Sequence, residues 1–333
     1  MLTEGIALPS LYGASAPKEN TADLRTKGYE ISIGWRDQIN LGSRPFGYNI
    51  RATLSDYVSH ITRYDNKNKT FAKAYYEGMR IGEIWGFEVD GLFQSDEEAQ
   101  AYAQQVNLGY VNKRVPGSKW AGGDPKYVDL DGDGKIGIGE NNVDNPGDRR
   151  IIGNSTPSLN YGLTLGFDYA GFDFSVFFQG TGNHYYYFPS TNWSFWGPFS
   201  QPLLSYLQKG LYESTWTPEN KDAYWPRAVA YYAYTSGAPL YYANTRYLQN
   251  TRYLRLKNLS VGYSLPQKLT RKVGMDKVRV YFTGENLTYW SPLKKNSVYI
   301  DPEAAVKKSS GSTYERVWIP WSKTMLFGID ITF

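Results

Sequence analysis

The sequence contains no cysteine in 333 residues, which excludes a disulfide framework and thiol chemistry. Histidine is nearly absent. His60 and His184 are the two, and neither sits at a metal-ligand or catalytic-triad spacing. No run of about 18 apolar residues exists, and the mean hydropathy is −0.52, so helical membrane spans are excluded. Strand spans are not, because half of each such strand faces a polar lumen. The net charge of +4 is small and mixed along the chain. With neither a basic stripe nor a recognition motif, nucleic acid is not an expected partner. Met1-Leu2-Thr3-Glu4 lacks the charged and apolar regions of a secretory signal.

Alternation is what the chain has in abundance. From Ser158 to Tyr169 the odd positions are Leu159, Tyr161, Leu163, Leu165, Phe167 and Tyr169, and the even positions are polar or glycine. Successive strand side chains point to opposite faces, so this segment has one apolar face and one polar face. After Ala170-Gly171 the pattern resumes with Phe172, Phe174, Val176 and Phe178 against Asp173, Ser175 and Gln179. The pair reads as a tight hairpin. Tyr29–Trp35, Phe46–Leu54 and Met325–Phe333 repeat the signature. Segments near 252–265 and 276–289 alternate less cleanly, and the first changes phase near Lys257–Leu259 as a bulge would.

About seven strands result, most of them ten or more residues long. Ordinary soluble strands run to about five or six residues, whereas a tilted membrane-spanning strand needs roughly 9–11. The connections alternate short and long: Asn40–Arg44, then 59–157, the turn at Ala170, 184–251, Pro266–Met275, and 290–323. Outer-membrane barrels keep short turns on the periplasmic side and long loops outside. Aromatics at 17%, with 30 Tyr and 10 Trp, suit the interfacial girdles of such a wall. The fold class expected is therefore all-β, about seven to eight antiparallel strands of a large transmembrane barrel with minor helices. Seven strands leave two unpaired edges, which hydrocarbon does not tolerate. The absent signal points the same way, so residues 1–333 are expected to be the C-terminal segment of a longer barrel protein. Within it, 59–157 and 184–251 are the long extracellular loops.

Two stretches offer binding chemistry. In DLDGDGKIGIGE (129–140), Asp129, Asp131, Asp133, Gly134 and Glu140 occupy positions 1, 3, 5, 6 and 12 of a calcium loop, with the Lys135 carbonyl as a further oxygen. Calcium takes six to eight oxygens, a glycine at the sharp turn and a closing bidentate acid. Pro125 before and Asn145-Pro146-Gly147 after rule out flanking helices, so this is a calcium loop in a β context. Asp144 or Asp148 is an alternative closing ligand to Glu140. The competing reading is an Asp/Gly-rich turn whose carboxylates cap backbone amides. Any cation here is expected to stiffen a surface loop, since no base or nucleophile accompanies it. The second stretch, 184–250, is crowded with aromatics that either pack the loop or stack on sugar rings or peptides. Trp193, Trp196, Trp216 and Trp225 are its candidate ligand-facing residues. Ser95-Asp96-Glu97-Glu98 reads as the N-capped start of a short helix.

Several segments together carry a family resemblance: GASAPKENTADLRTKGYEISIGWRD (13–37), GMRIGEIWGFEVDGLFQS (78–95), YVDLDGDGKIG (127–137), GDRRIIGNSTPSLNYGLTLGFDYAGFDFSVFFQGTG (147–182), YLRLKNLSVGYSLP (253–266) and VRVYFTGENLTYWSP (278–292), with the terminal Phe333. In these the chain resembles SusC/RagA-type TonB-linked outer-membrane transporters. The resemblance implies a 22-stranded barrel of the plugged kind, in the outer membrane of Bacteroidetes. It also implies oligosaccharide or peptide uptake beneath a SusD-like surface lipoprotein, powered through TonB. The signal, the N-terminal extension, the TonB box and the plug of that pattern are not in this sequence. A soluble or surface calcium-stabilised β protein that binds carbohydrate is the alternative. A secreted hydrolase is set aside for want of a catalytic set, and no enzyme activity is expected.

Overall fold

The computed structural model describes residues 2–4, 13, 18–112, 119–203, 205, 207, 209–296, 300–305 and 321–333. Residues 14–17 of the matching segment 13–37, and 297–299 and 306–320 of the 290–323 connection, lie outside the described residues. Seven strands form one antiparallel sheet: β1 (Asp23–Leu41), β2 (Arg44–Arg63), β3 (Ser158–Tyr169), β4 (Phe172–Asn183), β5 (Tyr253–Ser264), β6 (Lys277–Trp290) and β7 (Thr324–Thr332). Each pairs only with its neighbours in sequence, so the sheet is a simple meander from β1 to β7. All three short connections lie at one end of it and all three long ones at the other.

Register explains why alternation was the governing signal. One row across the sheet reads Ile39, Phe46, Tyr169, Phe172, Tyr263, Val280 and Ile329. Further along, Asp37, Tyr48, Phe167, Phe174, Val261, Phe282 and Phe327 face one another. Apart from Asp37, both rows are apolar from edge to edge, and the rings stack across strands, Phe46 on Phe167 and Phe167 on Phe174 at 5.8 and 4.9 Å. Among the described residues no second sheet covers this face. Ile33, Trp35, Phe327 and Ile329 are all more than half exposed. A soluble sandwich buries its apolar face; a lipid-facing wall does not.

Two strands exceed expectation. β1 and β2 run 19 and 20 residues, longer than the alternation alone delimits, and the turn between them is Gly42-Ser43 rather than 40–44. β2 reaches Arg63, so the long connection that follows begins after 63 and not at 59. The reason is pairing: β1 and β2 hydrogen-bond to each other well beyond the point where β3 ends, as far as Asp23 opposite Arg63.

The phase change near Lys257 is a bulge. β5 pairs Asn258 with Phe177 and Leu256 with Phe178, leaving Lys257 without a β4 partner, and its register against β6 shifts at the same place. Without that extra residue Arg255 would share the outer face with Leu259, Val261 and Tyr263. The bulge flips the parity, as an inserted residue must. Leu254 and Leu256 then continue the outer face and Arg255 turns inward.

The three long connections pack on one another. Phe87 N donates to Ala243 O and Thr245 N to Phe87 O, at 2.9 and 3.0 Å, stitching the first connection to the second. Asp124, fully buried, accepts from Arg227 and Tyr232 across the same boundary. α1 (Asp96–Gln105) starts where the cap was expected, with Ser95 Oγ accepting from Glu98 N at 3.2 Å. Its buried Ala99 joins Phe87, Phe93, Trp120, Tyr127 and Ile136 in one small core. A second core holds Phe188, Phe195, Trp196, Phe199, Trp225 and Tyr247.

Candidate functional site

The acidic loop folds around its own amides. Asp129 accepts from Gly132 N at 2.8 Å and from Gly134 N at 2.9 Å, and Asp131 from Asp133 N at 3.1 Å. Gly132 and Gly134 take φ of 76° and 80°, which a side-chain-bearing residue adopts only with strain. The loop is anchored at Ile136, 2% exposed in the core beneath α1. Backbone pairing with Asn107 holds it from both sides, Asn107 N to Gly134 O and Ile136 N to Asn107 O, each 2.8 Å.

Of the expected ligands, the structure brings together Asp129 and Asp131 with Asp148, one of the two alternatives to Glu140. Carboxylate oxygens of Asp129, Asp131 and Asp148 all lie within 4.8 Å of one another. Asp133 is drawn away by Lys135, whose Nζ lies 2.9 Å from it, and this pairing lowers the Asp133 carboxyl below its usual value. The Lys135 backbone is bridged to Asn107. Glu140 is exposed, and its carboxylate accepts from Asn142 Nδ2 at 3.3 Å. Asp148, the alternative closing acid, is 1% exposed and accepts from Leu130 N and Gly137 N at 2.6 and 2.7 Å. Burial nonetheless raises its carboxyl, the two amides opposing. A buried acid raised in this way, between two further acids, is an environment that a hard cation relieves. The chain departs from a helical calcium loop after Gly137, because Gly139 and Gly147 approach so closely that a Cβ on Gly147 would meet Gly139 N at 2.5 Å. That closure swings Asp148 in and Glu140 out.

The tryptophans occupy a different kind of place. Trp196, Trp225 and Trp216 are 0%, 2% and 9% exposed. Trp196 packs edge-on to Phe195 at 4.8 Å, its Nε1 donates to Phe188 O at 3.1 Å, and Trp225 stacks on Phe199 at 5.4 Å. Trp216 lies against Gly122 and Gly123 of the other long connection. These three therefore pack the loops and present no face to a ligand, which corrects the expectation that they contact one. Trp193 alone of the four is partly exposed.

Sequence reasoning missed a buried charge cluster beneath the third connection. Arg255, turned inward by the bulge, donates to Asp301 and its Nε lies 3.0 Å from Glu303. Lys257 Nζ donates to both Glu303 oxygens at 2.8 and 2.9 Å. The Arg255 and Asp301 side chains are 2% and 1% exposed. The available signal was the phase change together with two cations two positions apart, Arg255 and Lys257, on an otherwise uncharged strand.

No protein-family model matches the chain. Sequence comparison finds TonB-dependent receptor P3 of Formosa agariphila, 29% identical over 299 residues, covering 84% of this chain and 26% of that protein. TonB-dependent receptor P26 of the same organism is 26% identical, over 98% of this chain and 31% of its own length. The chain thus spans between a quarter and a third of the length of the curated relatives it matches. Among solved structures, the RagAB peptide transporter superposes with a TM-score of 0.62 at 21% identity, covering all of this chain and 32% of its own. The RagAB peptide importer in its closed-closed state gives 0.61 at 20% identity. The matching fold is larger, and this chain's seven-stranded sheet aligns with about a third of it.

Proposed function

Starting from a chain homologous to outer-membrane TonB-dependent receptors, we propose that it forms a sector of the barrel wall and the loop canopy of a nutrient importer. The observation that carries this reading is the sheet itself. Its outer face is apolar row after row, its two edges are unpaired among the described residues, and all its long connections pack together at one end. Such a sector separates lipid from lumen and roofs the entrance with its long loops. The cargo in this reading is an oligosaccharide or a peptide, delivered under a SusD-like surface lipoprotein and drawn inward through TonB. The fold neighbours named for peptide import support a cargo of that size. Calcium held by Asp129, Asp131 and Asp148 braces the first long connection without taking part in chemistry.

The test is uptake by the full-length transporter in a strain that depends on it. Deleting residues 66–148 of the first connection should abolish growth on the cargo while leaving the barrel in the outer membrane. Growth unchanged by that deletion, or unchanged by loss of TonB, would overturn the reading.

A further inference from the structure

The outer face of the wall ends in a second row, Ile31, Leu54, Tyr161, Gly180, Leu254 and Trp290, at the end that carries the long loops. It stands eight positions along β4 from the lower row, Phe172 to Gly180. Eight strand residues rise roughly 26 Å along the strand, and with the usual barrel tilt this matches an apolar band about 25 Å tall or somewhat less. Tyr161 and Trp290 therefore occupy the position of the outer aromatic girdle, as Phe46, Tyr169, Phe172 and Tyr263 occupy that of the inner one.

Immediately above Leu254 and Trp290 the surface opens into a cleft of about 480 Å³. Tyr161, Leu254, Trp290 and Pro292 form its apolar part, and Arg252 and Lys294 are its two charged residues. Among the described residues no carboxylate lines it. Trp290 is 53% exposed, and both cations are exposed. Lys294 is positioned by its own loop: its Nζ donates to Tyr289 O at 2.5 Å and sits 3.9 Å over the Tyr289 ring. Tyr289 pairs with the inward Arg255, which flanks the same ring at 4.9 Å. The ammonium thus sits at the strand ends, on a lumen-side ring and on the lining of the cleft, with two of its three N–H donors left to point elsewhere. The acids of the neighbouring loop, Asp301 and Glu303, are engaged with Arg255 and Lys257 on the inner side. Among the described residues the rim is thus cationic.

We infer that this cleft holds the phosphorylated headgroup of an outer-leaflet lipid, with Arg252 and Lys294 on the phosphate and Tyr161, Leu254 and Trp290 against the upper acyl chain. Guanidinium and ammonium groups at headgroup height recognise phosphate through charge-assisted hydrogen bonds. Aromatic side chains at the same level accept an amphipathic neighbour. A free phosphate would use the two cations and ignore the apolar half of the cleft. β3 to β6 are all interior to the sheet, so every strand that lines the cleft belongs to this chain. The inference rests on the membrane orientation of the wall and not on any cargo.

The experiment uses the full-length transporter in detergent micelles, titrated with monophosphoryl lipid A and followed by native mass spectrometry. Wild type should bind one lipid, dephosphorylated lipid A should bind at least tenfold more weakly, and millimolar inorganic phosphate should not displace the lipid. R252Q/K294Q should weaken binding at least tenfold, and W290A severalfold, with barrel folding verified by heat-modifiable gel mobility. K294Q alone serves if the double variant fails to fold. Equal binding of the phosphate-free lipid, displacement by inorganic phosphate, or binding within twofold of wild type in folded R252Q/K294Q or K294Q would overturn the inference. In each case uptake of cargo remains a separate measurement, so the transport reading stands or falls on its own.

Discussion

Arg279 on β6 and Asp173 on β4 form a two-pronged ion pair, at 2.9 and 2.6 Å, that crosses β5 over Gly262. The absence of a side chain at Gly262 makes the crossing feasible, because a Cβ there would lie 2.5 Å from both Arg279 Nη2 and Asp173 Oδ1. Arg279 also reaches Asp330 on β7 at 3.2 Å, so one guanidinium on β6 ties β4 and β7 across a span of four adjacent strands on the lumen face. G262V should therefore break the pair rather than disturb the backbone. Its cost should be about 1–2 kcal/mol smaller in a D173N/R279Q background, the coupling expected of residues in contact. Urea unfolding of the full-length barrel in detergent measures the cycle, and equal costs in both backgrounds would refute the coupling.

The inward-facing Arg255 leads to a second expectation. Removing one member of a buried pair strands the other, at about 3–5 kcal/mol. D301N should release the third connection from the β5 bulge and expose it to protease, whereas E303Q, at a partly exposed acid, should have a smaller effect. Limited proteolysis of the intact transporter, with cleavage mapped to 291–323, distinguishes the two.

His184 governs a pH effect. It sits just beyond β4, where Nδ1 shares a 2.8 Å hydrogen bond with Thr251 Oγ1. Burial lowers its pKa to about 4 from 6.5. The unfolded chain takes up a proton below about 6.5 and the folded one does not until about 4. Stability is therefore fully present above pH 6.5 and declines as pH falls across that window, at up to about 1.4 kcal/mol per pH unit. H184N should flatten melting curves between pH 6.5 and 4.5. A wild-type melting temperature that does not change across that range would contradict the assignment.

For the acidic loop, calcium should raise the resistance of the first connection to protease, and chelation should lower it. D129N and D148N should abolish that calcium response, while E140Q should retain it. A response lost with E140Q and kept with D148N would restore the helical-type ligand set.

The tryptophan substitutions follow from packing. W196A or W225A should destabilise the canopy by about 3–5 kcal/mol, the range for emptying a large aromatic site. W193A should cost far less. Differential scanning calorimetry of the intact transporter would settle the order, and a W193A effect as large as W196A would contradict it.

Much of the wall was legible because alternation is a local property. Leu159 through Phe178 specify their faces one residue at a time, and a slip of one position would send every apolar side chain into the lumen. The bulge at Lys257 was visible for the same reason, as an interruption in that rhythm. The upper ends of β1 and β2 were not, because above Ile31 and Leu54 they answer to each other and no longer to lipid. The site residues were less legible still. Asp148 meets Leu130 from 18 residues away and Arg255 meets Asp301 from 46, distances over which no sequence period operates. The tryptophans misled because an aromatic cluster has the same composition whether it packs inward or waits for a ligand.

The length of the first hairpin has a further consequence. From Glu30 to Asp23 β1 continues roughly 25 Å past the outer girdle, with β2 beside it to Arg63. Ile61, 1% exposed, receives the first long connection there through a hydrogen bond to Met79 O at 2.9 Å. The hairpin thus carries its own backbone ladder beyond the apolar face and serves there as the post from which the first long connection hangs.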